Sequence, residues 1–190
     1  MNKLYLPINE FAQFVSNIKP VEKQYDNVFR TVNNVMNKRV GNCADIALLV
    51  NEYCKLHKYS RKVINLGIAY FNSDNDMTII NHQSHVICAF QYENKWTIIQ
   101  QCDDMQPLFI GNYSLENTIK QFARIYIPLL QGYLLHEKPN IKVVRYYYHI
   151  LTDNLLDELE QLSSNKYLNK QKILSNCWHK VPEHTLILSR

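Results

Sequence analysis

The sequence predicts an α+β fold in which a central helix from the N-terminal part of the chain, entered at Cys43, packs on an antiparallel sheet. Three observations carry this reading. Apolar residues recur at helical spacing through most of the first 58 positions. At Arg61 the chain changes to Val63, Ile64, Leu66, Ile68, Ala69, Tyr70 and Phe71, a run with few helix-favouring signals. From Ser84 to Cys102 a strand, a two-residue turn and a second strand follow one another, with Glu93-Asn94 as the turn. A length of 190 residues suits one domain with a sizeable core, read as 1–190 with an N-terminal helical part 9–37 and a C-terminal extension 115–190.

In chain order, Asn9 is the expected N-cap of a first helix whose Phe11, Phe14, Val15 and Ile18 face inward until Pro20 stops it. A second helix is expected from Glu22 to about Asn37, with Tyr25, Val28, Phe29, Val32, Val35 and Met36 inward. The Cys43 helix runs to about His57 or Lys58. Cys43, Ala47, Val50 and Cys54 share one face and Leu48, Leu49 and Leu56 make other faces apolar, so it belongs between layers. After the hairpin, Met105 to Tyr113 reads as a loop or short irregular strand. Leu115 to about Leu135 is one helix, or two broken at Pro128, and Ile141 to Ile150 is a strand placed centrally by its aromatic residues. A helix from Thr152-Asp153-Asn154 to Leu162 with Leu155, Leu156, Leu159 and Leu162 inward, a helix over Tyr167 to Cys177 and a strand from Pro182 to Arg190 complete the chain.

Composition narrows the function. A net charge of +4, from 21 basic and 17 acidic residues spread along the chain, lacks the dense stripe that nucleic-acid binding requires. Five cysteines at irregular spacing argue against a disulfide scaffold and for free thiols. No apolar stretch has signal-peptide length at the start, and none approaches the roughly 20 residues of a membrane helix, so a soluble protein is expected, cytoplasmic or exported without a classical cleaved signal.

The chemistry starts at Gly41-Asn42-Cys43-Ala44-Asp45. A thiol in the first turn of a helix meets free backbone N–H groups and the positive end of the helix dipole, which both favour a thiolate. In the hairpin, pairing Tyr92 with Lys95 makes opposed residue numbers sum to 187. His85 then faces Cys102, Ile87 faces Gln100, and Gln100 lies diagonal to His85 on the same side. Asp103 points to the other face unless a bulge intervenes.

The order Cys43, His85 and a polar residue after Trp96 resembles the transglutaminase-like branch of the papain-like cysteine enzymes. The matching pieces are Gly41-Asn42-Cys43-Ala44-Asp45-Ile46-Ala47, His85-Val86-Ile87 and Trp96-Thr97-Ile98-Ile99, between about Arg39 and Asp104. The resemblance implies a papain-like or transglutaminase-like core and an acyl-group enzyme in which His85 activates Cys43 for attack on an amide or peptide carbonyl, as a protease, deamidase or acyl transferase. It also implies the Cys43 N–H and Gln83 as oxyanion donors, with Asp45 bracing the helix start and a protein or peptide substrate. The family's Asp four positions beyond Trp96 is Gln100 here. Either Gln100 orients His85 as a neutral amide, or Asp103 or Asp104 does so through a bulge, or the site is a degenerate one on a protein-binding module. No cofactor is implied. A zinc site from Cys43, His85 and Cys102 is disfavoured because the chain lacks Cys-x-x-Cys and His-Glu-x-x-His patterns.

Overall fold

The computed structural model of the chain describes residues 3–21, 30–71, 73, 79–101, 106–137, 143–152, 154–163 and 179–180. Helices α1 (Ile8–Ser16), α2 (Val32–Lys38), α3 (Cys43–Leu56), α4 (Leu115–Glu137) and α5 (Leu155–Ser163) pack against one antiparallel sheet of strands β1 (Arg61–Phe71), β2 (Ile79–Tyr92), β3 (Lys95–Ile99), β4 (Leu108–Ile110), β5 (Val143–Ile150) and the two-residue β6 (His179–Lys180). The strand order is β4-β3-β2-β1-β5-β6. This is the expected α+β class, with β5 between β1 and β6.

Strand alternation divides the interior into two layers. Val63 of β1 and Val86, Cys88 and Phe90 of β2 pack with α1 and α3. Ile64, Leu66, Ile68, Ile87 and Ala89 pack with Ile119, Phe122, Ala123, Tyr126 and Ile127 of α4 on the opposite face. Helix α3 fills its layer with Ile46, Leu49, Val50, Tyr53 and Cys54, all buried. Burying each of the larger apolar side chains is worth about 1.5–3 kcal/mol, so this packing fixes where the N-terminus of α3 lies on the sheet. No helix among the described residues is long and apolar enough to cross a membrane.

Several boundaries differ from expectation for local reasons. Helix α1 begins at Ile8 because Pro7, extended at φ −53° and ψ 152°, occupies the N-cap position in place of Asn9. Helix α2 begins at Val32, capped by the Thr31 hydroxyl, because Thr31 is extended and the Arg30 N–H is taken by Asp45. Positions 22–29 of the expected second helix lie outside the described residues. Strand β2 starts at Ile79, earlier than Ser84, because it follows the full length of β1 to the pair Phe71↔Ile79. Helix α4 continues through Pro128, since the carbonyl left without a partner belongs to the exposed turn at Arg124. Leu156, expected inward, is exposed, and so is Leu56, the last residue of α3. The expected helix 167–177, the whole of the expected C-terminal strand 182–190 and the Leu162 side chain lie outside the described residues.

The hairpin register agrees with the predicted sum of 187, with Tyr92↔Lys95 and Gln91↔Trp96, and the turn residues Glu93 and Asn94 both have positive φ, 50° and 64°. The ladder does not reach His85. It ends at Ala89↔Ile98, and the opposed pair expected next, Ile87 with Gln100, does not form; Cys102, expected opposite His85, lies outside the described residues. The chain keeps its bond to the β4 side, Gln100 N–H to the Pro107 carbonyl at 3.1 Å, while the Gln101 amide donates to the Ile18 carbonyl at the end of α1. Held on those two sides, it leaves the edge of β2.

Candidate active site

Where β3 leaves β2 lies a cavity of about 460 Å³, walled by Cys43, Ile46 and Ala47 of α3, by Ser84 to Ile87 of β2, by Ile99 to Gln101 and by Tyr126 of α4. Pro20 and Val21 close one side of it, positioned by a parallel bridge between Lys19 and Val40. None of the described lining side chains carries a formal charge apart from what His85 can acquire.

Cys43 is the first residue of α3, and its position rests on a capping box. The Asn42 side chain accepts from the Asp45 N–H at 2.9 Å, and the Asp45 carboxylate accepts from the Asn42 N–H at 3.0 Å. Asp45 is fully buried and also accepts the Arg30 N–H at 2.8 Å and the Arg30 guanidinium at 3.1 Å. Asp45 therefore braces the helix start and ties the segment at Arg30 to it.

The thiol itself is half-buried, facing the backbone of β2. The phase of the β-ladder explains how. Gln91 donates to the Ser60 carbonyl at 2.8 Å, so odd-numbered β2 amides point to β1 and even-numbered ones to the β3 side. Where β3 has left, the Val86 N–H points into the cavity, at Cys43 Sγ. Burial pushes the thiol above its ordinary range; the N–H groups of Val86, Ala44 and Cys43 pull it down, and the Asp45 charge adds to the rise. The resting sulfur is a thiol.

His85 enters the cavity from the other side. It shares the β2 face of Ile87 and Ala89, away from α3, and its ring stacks on Tyr126 with centroids 4.4 Å apart. Its Nδ1 and the Tyr126 hydroxyl form a hydrogen bond of 3.1 Å. Burial lowers its pKa to about 4, so the ring is neutral at pH 7. No hydrogen bond joins it to Cys43; the two groups meet only as walls of one cavity around the β2 edge.

The other residues singled out from the sequence scatter. Gln100 is buried and lines the cavity. Gln83 does not line it: its side-chain oxygen accepts the Tyr70 hydroxyl at 3.0 Å, on the α4 side of the sheet. Trp96 packs against the α4-side core, away from the cavity. Asp103, Asp104 and Cys102 lie outside the described residues. Among the described residues no three His, Cys, Asp or Glu side chains come together to hold a metal ion.

Sequence reasoning does not find Tyr126, the Val86 N–H or Arg30. Only Tyr126 has a signal: Ile119, Phe122, Ala123, Tyr126 and Ile127 form an inward stripe whose one polar tip is the Tyr126 hydroxyl. Ser84, also on the cavity wall, donates its hydroxyl to the buried Asn65 side chain.

No protein-family model matches the chain, and a comparison with curated proteins finds no match. The local geometry therefore carries the functional argument.

Proposed function

We propose that the chain is a cysteine-dependent acyl-group enzyme of the transglutaminase-like, papain-like kind, acting on a neutral amide or peptide bond. The observation that carries this reading is the placement of Cys43 Sγ at a helix start, against three main-chain N–H groups, in the same cavity as His85. Among the described residues the cavity wall carries no fixed charge, which favours a neutral amide over a carboxylate or an ammonium group.

The chemistry begins from a neutral pair. The Sγ proton passes to the His85 imidazole through one cavity water, because the ring stands on the far side of the β2 edge. As the charge forms on sulfur, the Val86, Ala44 and Cys43 amides stabilise it, and Sγ attacks the substrate carbonyl carbon. The C–N bond of the tetrahedral adduct breaks, the imidazolium returns its proton to the leaving amine, and a thioester remains on Cys43. Water then releases an acid, or an amine releases a new amide, and the thiol is regenerated. With no carboxylate at position 100 and a weakly basic His85, the rate is expected to be modest.

The test is thiol reactivity. Alkylation of Cys43 by iodoacetamide should be far faster than that of the other four cysteines and should slow at least tenfold in His85→Gln. A second reading, a non-catalytic protein-binding module, is favoured by Gln100 in place of the carboxylate and by the sheet edge between Cys43 and His85. Equal, slow reactivity of all five thiols would favour it over the enzyme.

A further inference from the structure

We propose that Tyr126 is the positioning residue for His85, its phenol oxygen accepting the Nδ1–H so that the Nε2 lone pair faces the cavity holding Cys43. The inference rests on the acyl-enzyme reading above and adds an orienting group from outside the strand pair. The group hydrogen-bonded to His85 comes from α4, because strand parity turns the ring toward that layer.

Two contacts fix the ring at once. The 3.1 Å hydrogen bond sets its rotation, and stacking at 4.4 Å with planes 28° apart sets its tilt. Tyr126 is itself held, 6% exposed and stacked on Phe122 with centroids 5.1 Å apart, so it is a rigid reference for the imidazole. Only one of the two neutral tautomers serves the reaction. With Nδ1 protonated and bonded to the phenol, Nε2 can take a proton; with Nδ1 accepting from the phenol, Nε2–H can only donate. A neutral phenol oxygen orients the ring without stabilising the imidazolium, which agrees with the low basicity of His85.

The experiment is ¹⁵N NMR of histidine-labelled protein together with the alkylation rate of Cys43 across pH 5–9, in wild type and Tyr126→Phe. Phe keeps the ring stack and removes only the oxygen. The expected result is a neutral His85 protonated at Nδ1 in wild type, a mixture of tautomers in Tyr126→Phe, and a fivefold or greater slowing of Cys43 at every pH. A wild-type His85 protonated at Nε2 overturns the proposal without any variant. So does a Tyr126→Phe protein with an unchanged tautomer and rate. In both cases the slowing in His85→Gln remains, so the enzyme reading survives. If that slowing is itself absent, the enzyme reading falls and the positioning role falls with it.

Discussion

Replacing Asp45 with Asn should lower stability and raise the reactivity of Cys43 together. The carboxylate accepts two main-chain N–H groups, from Arg30 and Asn42, and the Arg30 guanidinium, and it has no exposure to solvent. Asn keeps one oxygen, but its NH₂ must face either the Arg30 N–H or both the Asn42 N–H and the guanidinium, donor against donor. Breaking a buried pair costs about 3–5 kcal/mol when the remaining charge stays dry. The Arg30 side chain is 14% exposed and can recover some hydration, which brings the expected loss to roughly 2–4 kcal/mol. At about 2–4 °C per kcal/mol for a chain of this size, Tm should fall by roughly 5–15 °C. The Asp45 charge raises the Cys43 pKa, so its removal should lower that pKa and speed alkylation at pH 7. Urea unfolding and a pH–rate profile of alkylation measure both effects. A stability loss below about 0.5 kcal/mol would refute the bracing role, since a surface pair costs no more. A thiol pKa that rose would refute the electrostatic one.

His85 should leave a mark on acid stability. Its folded pKa of about 4 lies below the ordinary 6.5, so the unfolded chain takes up the proton first; its contribution is complete above pH 6.5 and drains away toward pH 4, at most about 3 kcal/mol. Urea melts at pH 7 and 4.5 should show that loss, and His85→Gln should reduce it. Gly67→Ala would drive a Cβ into the buried Tyr147 ring, and a cost of about 1–3 kcal/mol is expected, shrinking when Tyr147→Ala is present. Undiminished cost in the double variant would mean that the ring is not the obstacle. At the hairpin turn, Glu93 holds φ 50°, a left-handed conformation that Asn tolerates better. Glu93→Asn should raise the urea midpoint, a gain of roughly 0.5 kcal/mol, and an unchanged midpoint would contradict the turn assignment.

Elements set by near neighbours are legible in the sequence. The helix start at Cys43, the apolar face of α3, strand β1 over Arg61–Phe71 and the hairpin register all follow from contacts within a few residues or across a two-residue turn. The failures have a common cause. Thr31 rather than a residue near Glu22 starts α2 because the Arg30 N–H binds Asp45, fifteen positions later. The β3 ladder stops short because Gln101 is held by the Ile18 carbonyl, a contact across 83 positions. The resemblance implies Gln83 as an oxyanion donor, yet its bond with the Tyr70 hydroxyl places it elsewhere.

The sequence by itself determined that Cys43 opens a helix and that His85 lies on a strand next to a turn-linked partner. It could not say which face of that strand meets α3. Both faces are apolar, Val86, Cys88 and Phe90 on one and Ile87 and Ala89 on the other, so periodicity reads the same for either. The tertiary structure decided it by stacking two helical layers on the sheet. Cys43 came to one side and His85, against Tyr126, to the other, and the departure of β3 opened the edge where both reach one cavity.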